Sequence, residues 1–159
     1  MEEGFILTRS LARSCFGGML DDVNRVANGT IGYEFEGDQR LFHREVGMIL
    51  DAAVEVHRVL GYGLLEKPYE NALVREFEIR AIPCVQQPRY SVDYKGCRVG
   101  DFVPDLIAFG SIVIDTKTID HIGDFEIGQM LNYLRITKLR VGFIINFKYR
   151  RIETRRVVL

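Results

Sequence analysis

The run Val141-Gly142-Phe143-Ile144-Ile145-Asn146-Phe147 constrains the fold more than any other part of the sequence. It is almost continuously apolar, where a strand with one solvated face would alternate, and so it marks a sheet centre covered on both faces. Helices must therefore flank the sheet. The rest of the pattern supplies them. Val46, Ile49, Leu50, Ala53, Val56 and Leu60 approximate a 3.6-residue period and predict a helix from Phe42 to Leu60, ended by Gly61-Tyr62-Gly63. A second helix is expected from Leu64 to Arg80, with Pro68 tolerable near its first turn and Ile82-Pro83 stopping it. From Val85 the pattern becomes extended, with strands expected over Arg89–Tyr94, Val99–Ala108 and Ile112–Thr118, separated by turns at Lys95-Gly96 and Phe109-Gly110. They read as an antiparallel three-strand meander. Ile127, Met130, Leu131 and Leu134 stripe a helix from Phe125 to Ile136, and Ile152 to Val158 adds a last strand. The order α, α, β, β, β, α, β, β gives an α/β fold class, a mixed sheet flanked by helices.

Residues 1–40 differ in character, being rich in Gly and polar residues without a sustained period. They are expected to form an irregular N-terminal extension, with a short helix and a hairpin near residues 32–37, leaving residues 41–159 as the domain proper. A chain of 159 residues holds one compact domain. At 47% apolar and 27% charged residues it is a globular composition, and no apolar run approaches the roughly 20 residues a membrane span needs. The acidic start lacks the order of a secretory signal, and three cysteines (Cys15, Cys84, Cys97) without C-x-x-C spacing suggest neither a disulfide framework nor a zinc site. A cytoplasmic location is expected. No phosphate-cradling GxxxxGK[ST], no GxGxxG and no Ser/His/Asp arrangement is present, which excludes nucleotide-driven motors and dehydrogenases. Net charge is −1, yet from Arg135 onward eight basic residues face the single acid Glu153. Such an end could track phosphates, or could simply be solvated strand edges.

The chemistry lies in Pro104-Asp105 and Asp115-Thr116-Lys117. A hairpin centred on Gly110 places Asp105 opposite Asp115, and opposed side chains share a face with Cβ atoms roughly 5 Å apart. Two carboxylates held there repel unless a cation lies between them, so a divalent-metal site is the natural reading. Lys117, two residues further, points to the same face and can reach a phosphate or orient a water. The Thr116 side chain points away, while its carbonyl offers another oxygen ligand.

Pro104-Asp105, nine intervening residues, then Asp115-Thr116-Lys117 resembles the PD-(D/E)XK motif of the restriction-endonuclease-like nuclease superfamily. Gln129 and Tyr133 resemble the QxxxY motif of the exonuclease branch related to the RecB nuclease domain, and Gly63-Leu64-Leu65-Glu66-Lys67-Pro68-Tyr69 is similar to the signature of the GxxExxY family of small bacterial proteins. The resemblance runs from Leu41 to the C-terminus. It implies a restriction-endonuclease-like sheet and metal-dependent hydrolysis of phosphodiester bonds in nucleic acid, DNA being the expected substrate. It further implies Mg²⁺ or Mn²⁺ held by Asp105 and Asp115, with Glu66 as an additional metal or water ligand beside the Thr116 carbonyl that the strand geometry offers. Lys117 would act at the scissile phosphate, and Gln129 and Tyr133 would position the backbone phosphate or the site. Asp115 stands where the family usually carries Glu, an arm shorter by one methylene. The alternatives are a catalytically inactive module of the same fold that binds nucleic acid or a protein partner, and a scaffold in which these residues make structural ion pairs. So small a domain leaves room for a homodimer or a protein partner, and no membrane is implied.

Overall fold

The structure is a computed structural model that describes residues 41–159. The expected extension over 1–40, with its helix and hairpin, lies outside the described residues. Helices α1 (His43–Leu60), α2 (Glu66–Ile79) and α3 (Asp124–Thr137) fall within two residues of their expected ends. None is long and apolar enough to cross a membrane. α1 stops where Gly61 adopts φ +72°, its N–H bonded to the His57 carbonyl at 2.9 Å, and Gly63 follows at φ +98°. Both angles lie in the region that glycine enters without steric penalty.

The strands are β1 (Cys84–Gln86), β2 (Tyr90–Tyr94), β3 (Cys97–Phe102), β4 (Leu106–Ala108), β5 (Ile112–Lys117), β6 (Val141–Asn146) and β7 (Glu153–Val158). Five form a mixed sheet in the order β1-β4-β5-β6-β7, antiparallel except for the parallel β5–β6 pair that α3 bridges. α1 and α2 cover one face: Ile49, Val56, Tyr69, Leu73 and Phe77 pack with Ile114, Phe143, Ile145 and Phe147. α3 covers the other, where Met130 and Leu134 meet Val113, Ile144 and Val157. β6 is buried throughout, as its apolar run requires. The glycine within that run has its own reason. A Cβ at Gly142 would lie 2.3 Å from Met130 Sδ, so its absence lets α3 approach the sheet.

The expected three-strand meander is split between two sheets, its outer half forming a separate ribbon. β1 pairs with β4 and β2 with β3 in one alignment, Cys84 facing Ala108 and Tyr90 facing Phe102. Extending that alignment sets Pro88 opposite Pro104. Neither proline has an N–H to give, so the ladder breaks there. The Gln87 N–H, bonded to the Asp105 carbonyl at 2.9 Å, is the last rung on the sheet side, and Gln87 takes a positive φ of 51°. The strand expected over Val99–Ala108 is thus two strands, β3 in a separate two-stranded ribbon and β4 in the main sheet. Both expected turns are found, with Lys95 and Gly96, and Phe109 and Gly110, all at positive φ.

Gly142→Ala should destabilise the protein by about 1 to 3 kcal/mol through overpacking. Adding Met130→Ala removes the obstruction, so the doubly substituted protein should be more stable than the sum of the single losses predicts. Denaturant unfolding of the four proteins measures that coupling; strict additivity would place the α3 contact elsewhere.

Candidate active site

β5 is buried from Ile112 to Thr116 and reaches solvent only at Lys117. Its register with β4 ends at Leu106 opposite Ile114, so the next residues out, Asp105 and Asp115, stand opposite each other at the sheet end. Asp105 lies one residue past Pro104, outside the ladder, and its carboxylate turns toward β5. Both hydrogen bonds that it accepts land on Oδ2, from Thr116 N at 2.8 Å and from Thr116 Oγ1 at 2.6 Å. The Thr116 side chain therefore bonds the acid that it was expected to point away from, because Asp105 lies beyond the β4 ladder and turns its carboxylate to Thr116, while β5 itself stays paired with β6 through Lys117.

Asp115 is 7% exposed. Lys117 Nζ lies 2.9 Å from its Oδ2, on the same face as expected. The Lys117 ammonium is thus the polar neighbour of the buried Oδ2. Burial pushes the Asp115 carboxyl up to about 6, against the lowering effect of Lys117; the negative charges of Asp105 and Glu66 push it the same way as burial. These three carboxylates thus share one electrostatic neighbourhood. Among the described residues, however, no group of three or more His, Cys, Asp or Glu side chains is placed to hold a metal ion.

Glu66 opens α2, and its Oε1 accepts from Thr118 N at 3.3 Å, just beyond β5. The preceding loop explains the spacing of Gly63, Glu66 and Tyr69. The Tyr69 hydroxyl donates to the Gly61 carbonyl at 2.9 Å and accepts from Leu64 N at 3.3 Å, while its ring stacks on Phe147 with centroids 4.5 Å apart. Tyr69 pins the turn that aims Glu66 at the end of β5. On α3, Tyr133 stacks on Phe102 at 3.9 Å, and its hydroxyl is pushed up to about 12, first by burial and then by the charges of Asp115 and Asp105. Tyr133 is therefore beside the acid pair. Gln129, one turn earlier, has its Oε1 buried without a hydrogen-bond partner.

Sequence reading missed the parts that hold this arrangement. Asn146, 2% exposed, clamps both backbone groups of Ile119: Oδ1 accepts from its N–H at 3.1 Å and Nδ2 donates to its carbonyl at 2.8 Å. Glu153 accepts from Ile122 N at 3.1 Å and from Asn146 Nδ2 at 3.1 Å. Together they fix the loop from Lys117 to α3. A polar residue inside an apolar strand was the available signal. Glu70, also buried, accepts from Gln86 Nε2 at 2.7 Å and from Lys67 Nζ at 2.8 Å, tying α2 to β1. Nothing local announces that pair.

Of the basic residues from Arg135 onward, Arg155 and Arg156 lie mid-strand in β7 and the other six divide between the two ends of the sheet. Lys148, Arg150 and Arg151 follow β6 at the end that carries Lys117, with Lys148 paired to Asp120. Arg135, Lys138 and Arg140 line a cavity of about 290 Å³ at the other end of α3, away from the acids.

The sequence model of the PD-(D/E)XK nuclease superfamily matches residues 43–157. The chain belongs to this superfamily. No curated protein and no solved structure matches it. The mixed sheet with its three helices is accordingly a restriction-endonuclease-like fold, and in PD-(D/E)XK terms the matched segment contains Pro104-Asp105 and Asp115-Thr116-Lys117.

The raised Asp115 value carries a stability signature. The native state holds this proton more tightly than the unfolded chain, whose carboxyl titrates near 3.8. Its contribution is therefore full below about pH 4 and is lost as pH rises through about 6. The shift corresponds to a loss of order 3 kcal/mol at neutral pH. Asp115→Asn should abolish this fall, so that denaturation in EDTA from pH 4 to 8 gives a difference between variant and wild type that grows in the variant's favour up to about pH 6 and is then flat. A constant difference would show that Asp115 is not desolvated.

Proposed function

We propose that this chain is a divalent-metal-dependent nuclease of the GxxExxY type that hydrolyses phosphodiester bonds in DNA. The observation that carries this reading is the buried Asp115 carboxylate, its Oδ2 2.9 Å from Lys117 Nζ, standing opposite Asp105 at the end of the β4–β5 ladder. Two opposed carboxylates, one of them buried, repel each other, and a cation between them offsets that cost. The donor set is all oxygen and fits Mg²⁺ or Mn²⁺, since Mg²⁺ is commonly held by one or two carboxylates and completes its shell with water. Asp105 and Asp115 would hold it, with the Thr116 carbonyl and Glu66 as further ligands.

The metal supplies polarisation of the phosphate and a lowered pKa for the attacking water. This chain's residues do the rest. Lys117 places a positive charge where the phosphate gains negative charge in the transition state, and its ammonium, released from Asp115, can orient the water. The two Thr116 donors fix the orientation of the Asp105 carboxylate. The Gln129 amide and the Tyr133 hydroxyl, which remains protonated at neutral pH, hydrogen-bond the non-bridging oxygens of the backbone. No covalent nucleophile is needed. One observation favours a second reading, an inactive module that binds nucleic acid or a protein partner: Lys117 is already paired with Asp115, and among the described residues no three acids are grouped to hold a metal.

Cleavage of linear duplex, single-stranded and supercoiled DNA, and of RNA, with Mg²⁺, Mn²⁺ or EDTA separates the two. The nuclease reading predicts metal-dependent cutting that falls at least about 100-fold in Lys117→Ala, the usual effect of deleting one preorganised electrostatic group. Nucleic-acid binding with no cutting under any metal would establish the inactive module instead.

A further inference from the structure

Beyond the Pro88–Pro104 break, β2 and β3 continue as a ribbon that the core does not use. Its residues from Ser91 to Asp101 are exposed apart from the half-buried Val92, and Tyr94 and Val99 are 62% and 61% exposed. A two-stranded ribbon alone is marginal in water, so exposed apolar residues on it point to a surface that something covers. Its root is anchored. Phe102 is buried, stacked on Tyr133 at 3.9 Å and on Tyr90 at 6.4 Å, and only Val103 and Pro104 separate it from Asp105. Whatever occupies the acid pair therefore lies against the base of the ribbon.

The ribbon's charges indicate what that is. Asp101 is taken up by Arg98, whose Nη2 lies 2.6 Å from Oδ2, and Asp93 accepts from Ser91 Oγ at 3.3 Å and faces Arg98 across the ladder. Three cations, Arg89, Lys95 and Arg98, stand against the two acids, a surplus of one; Arg89 acts on Asp101 at the root, and Lys95 sits at the tip over the Tyr94 ring at 5.3 Å. A five- to six-residue ribbon extends roughly 17 to 20 Å, and a two-stranded ribbon fits the major groove of a duplex, about 12 Å wide. Val99, the bulged residue left without a cross-strand partner, adds local twist of the right hand to follow a groove.

We propose that the β2–β3 ribbon grips duplex DNA through its major groove, with Tyr94 and Lys95 at the tip, and so lays the backbone across Asp105 and Asp115. This inference rests on the nuclease reading above. It is tested by measuring binding of a short duplex over a salt series, and cleavage with Mn²⁺, for the wild type, Lys95→Ala, the doubly substituted Tyr94→Ala/Lys95→Ala, and Lys138→Ala as a control at the far end of α3. Thermal melting and sedimentation accompany each protein. Loss of one phosphate contact should lower the slope of log K against log salt by about 1 in Lys95→Ala. The double substitution should weaken binding at least several-fold and raise KM with kcat little changed, because the ribbon binds substrate and transition state alike. Lys138→Ala should match the wild type, and all melting temperatures should agree. If the wild type binds and cuts while the ribbon variants do so equally well, the ribbon proposal is wrong and the nuclease reading stands. If the double substitution instead converts a dimer to monomer in the absence of DNA, the ribbon is a protein-docking surface. If the wild type neither binds nor cuts, both readings fall together.

Discussion

Strand β5 is hydrogen-bonded along both edges, antiparallel to β4 and parallel to β6, and covered on both faces, with α2 and α3 each packed against it. That confinement is what the rest of the structure depends on. A strand so held cannot slip or twist to relieve an unfavourable side chain, since a one-residue shift would reverse every face. Its first residues, Ile112 to Ile114, are apolar and supply the burial; fully burying one such side chain is worth about 1.5 to 3 kcal/mol. The next, Asp115, is carried into the same environment and must remain there. The strand's apolar half thus holds its acidic end in place, and a buried carboxylate persists because the fold around it is over-determined.

Each neighbouring element then contributes to the same end of the sheet by its own local chemistry. The proline pair ends the β4 ladder and leaves Asp105 outside it, free to turn its carboxylate onto Thr116. Tyr69 fastens the glycine turn and so brings the first turn of α2 to Thr118. Asn146 and Glu153 bind the backbone that leaves β5, and Glu126 accepts from the Gly123 N–H at 2.8 Å where α3 begins. α3 then returns Tyr133 to the acids. Residues that touch no candidate ligand thereby set the positions of those that do, in keeping with the precision that phosphoryl chemistry demands.

Much of this was legible in the sequence because it follows from strict periodicities. The apolar run of β6 announced its own burial, the hairpin about Gly110 fixed the register that sets Asp105 against Asp115, and the period of two placed Lys117 beside Asp115. What could not be read depends on interruptions of those periods. The turn at Lys95-Gly96 aligns Tyr94 with Cys97, but it is the bulge at Val99 that shifts the alignment by one residue and brings Pro88 opposite Pro104. Without that bulge in view the middle strand reads as continuous, and the Thr116 side chain as pointing away from the site. The Glu70–Gln86 bond joins residues far apart in the chain, where no local pattern reports proximity.

The central claim is that Asp105 and Asp115 form a divalent-cation site and not a resting ion pair with Lys117. Melting the full chain in a Mn²⁺ titration against an EDTA baseline tests it most directly, because a ligand that binds only the native state raises stability by about 2.7 kcal/mol at one hundred times its Kd. The melting temperature should climb with Mn²⁺ in the wild type and stay flat in both Asp105→Asn and Asp115→Asn. A wild-type melting temperature indifferent to Mn²⁺, or an equal rise in the two variants, would contradict the account.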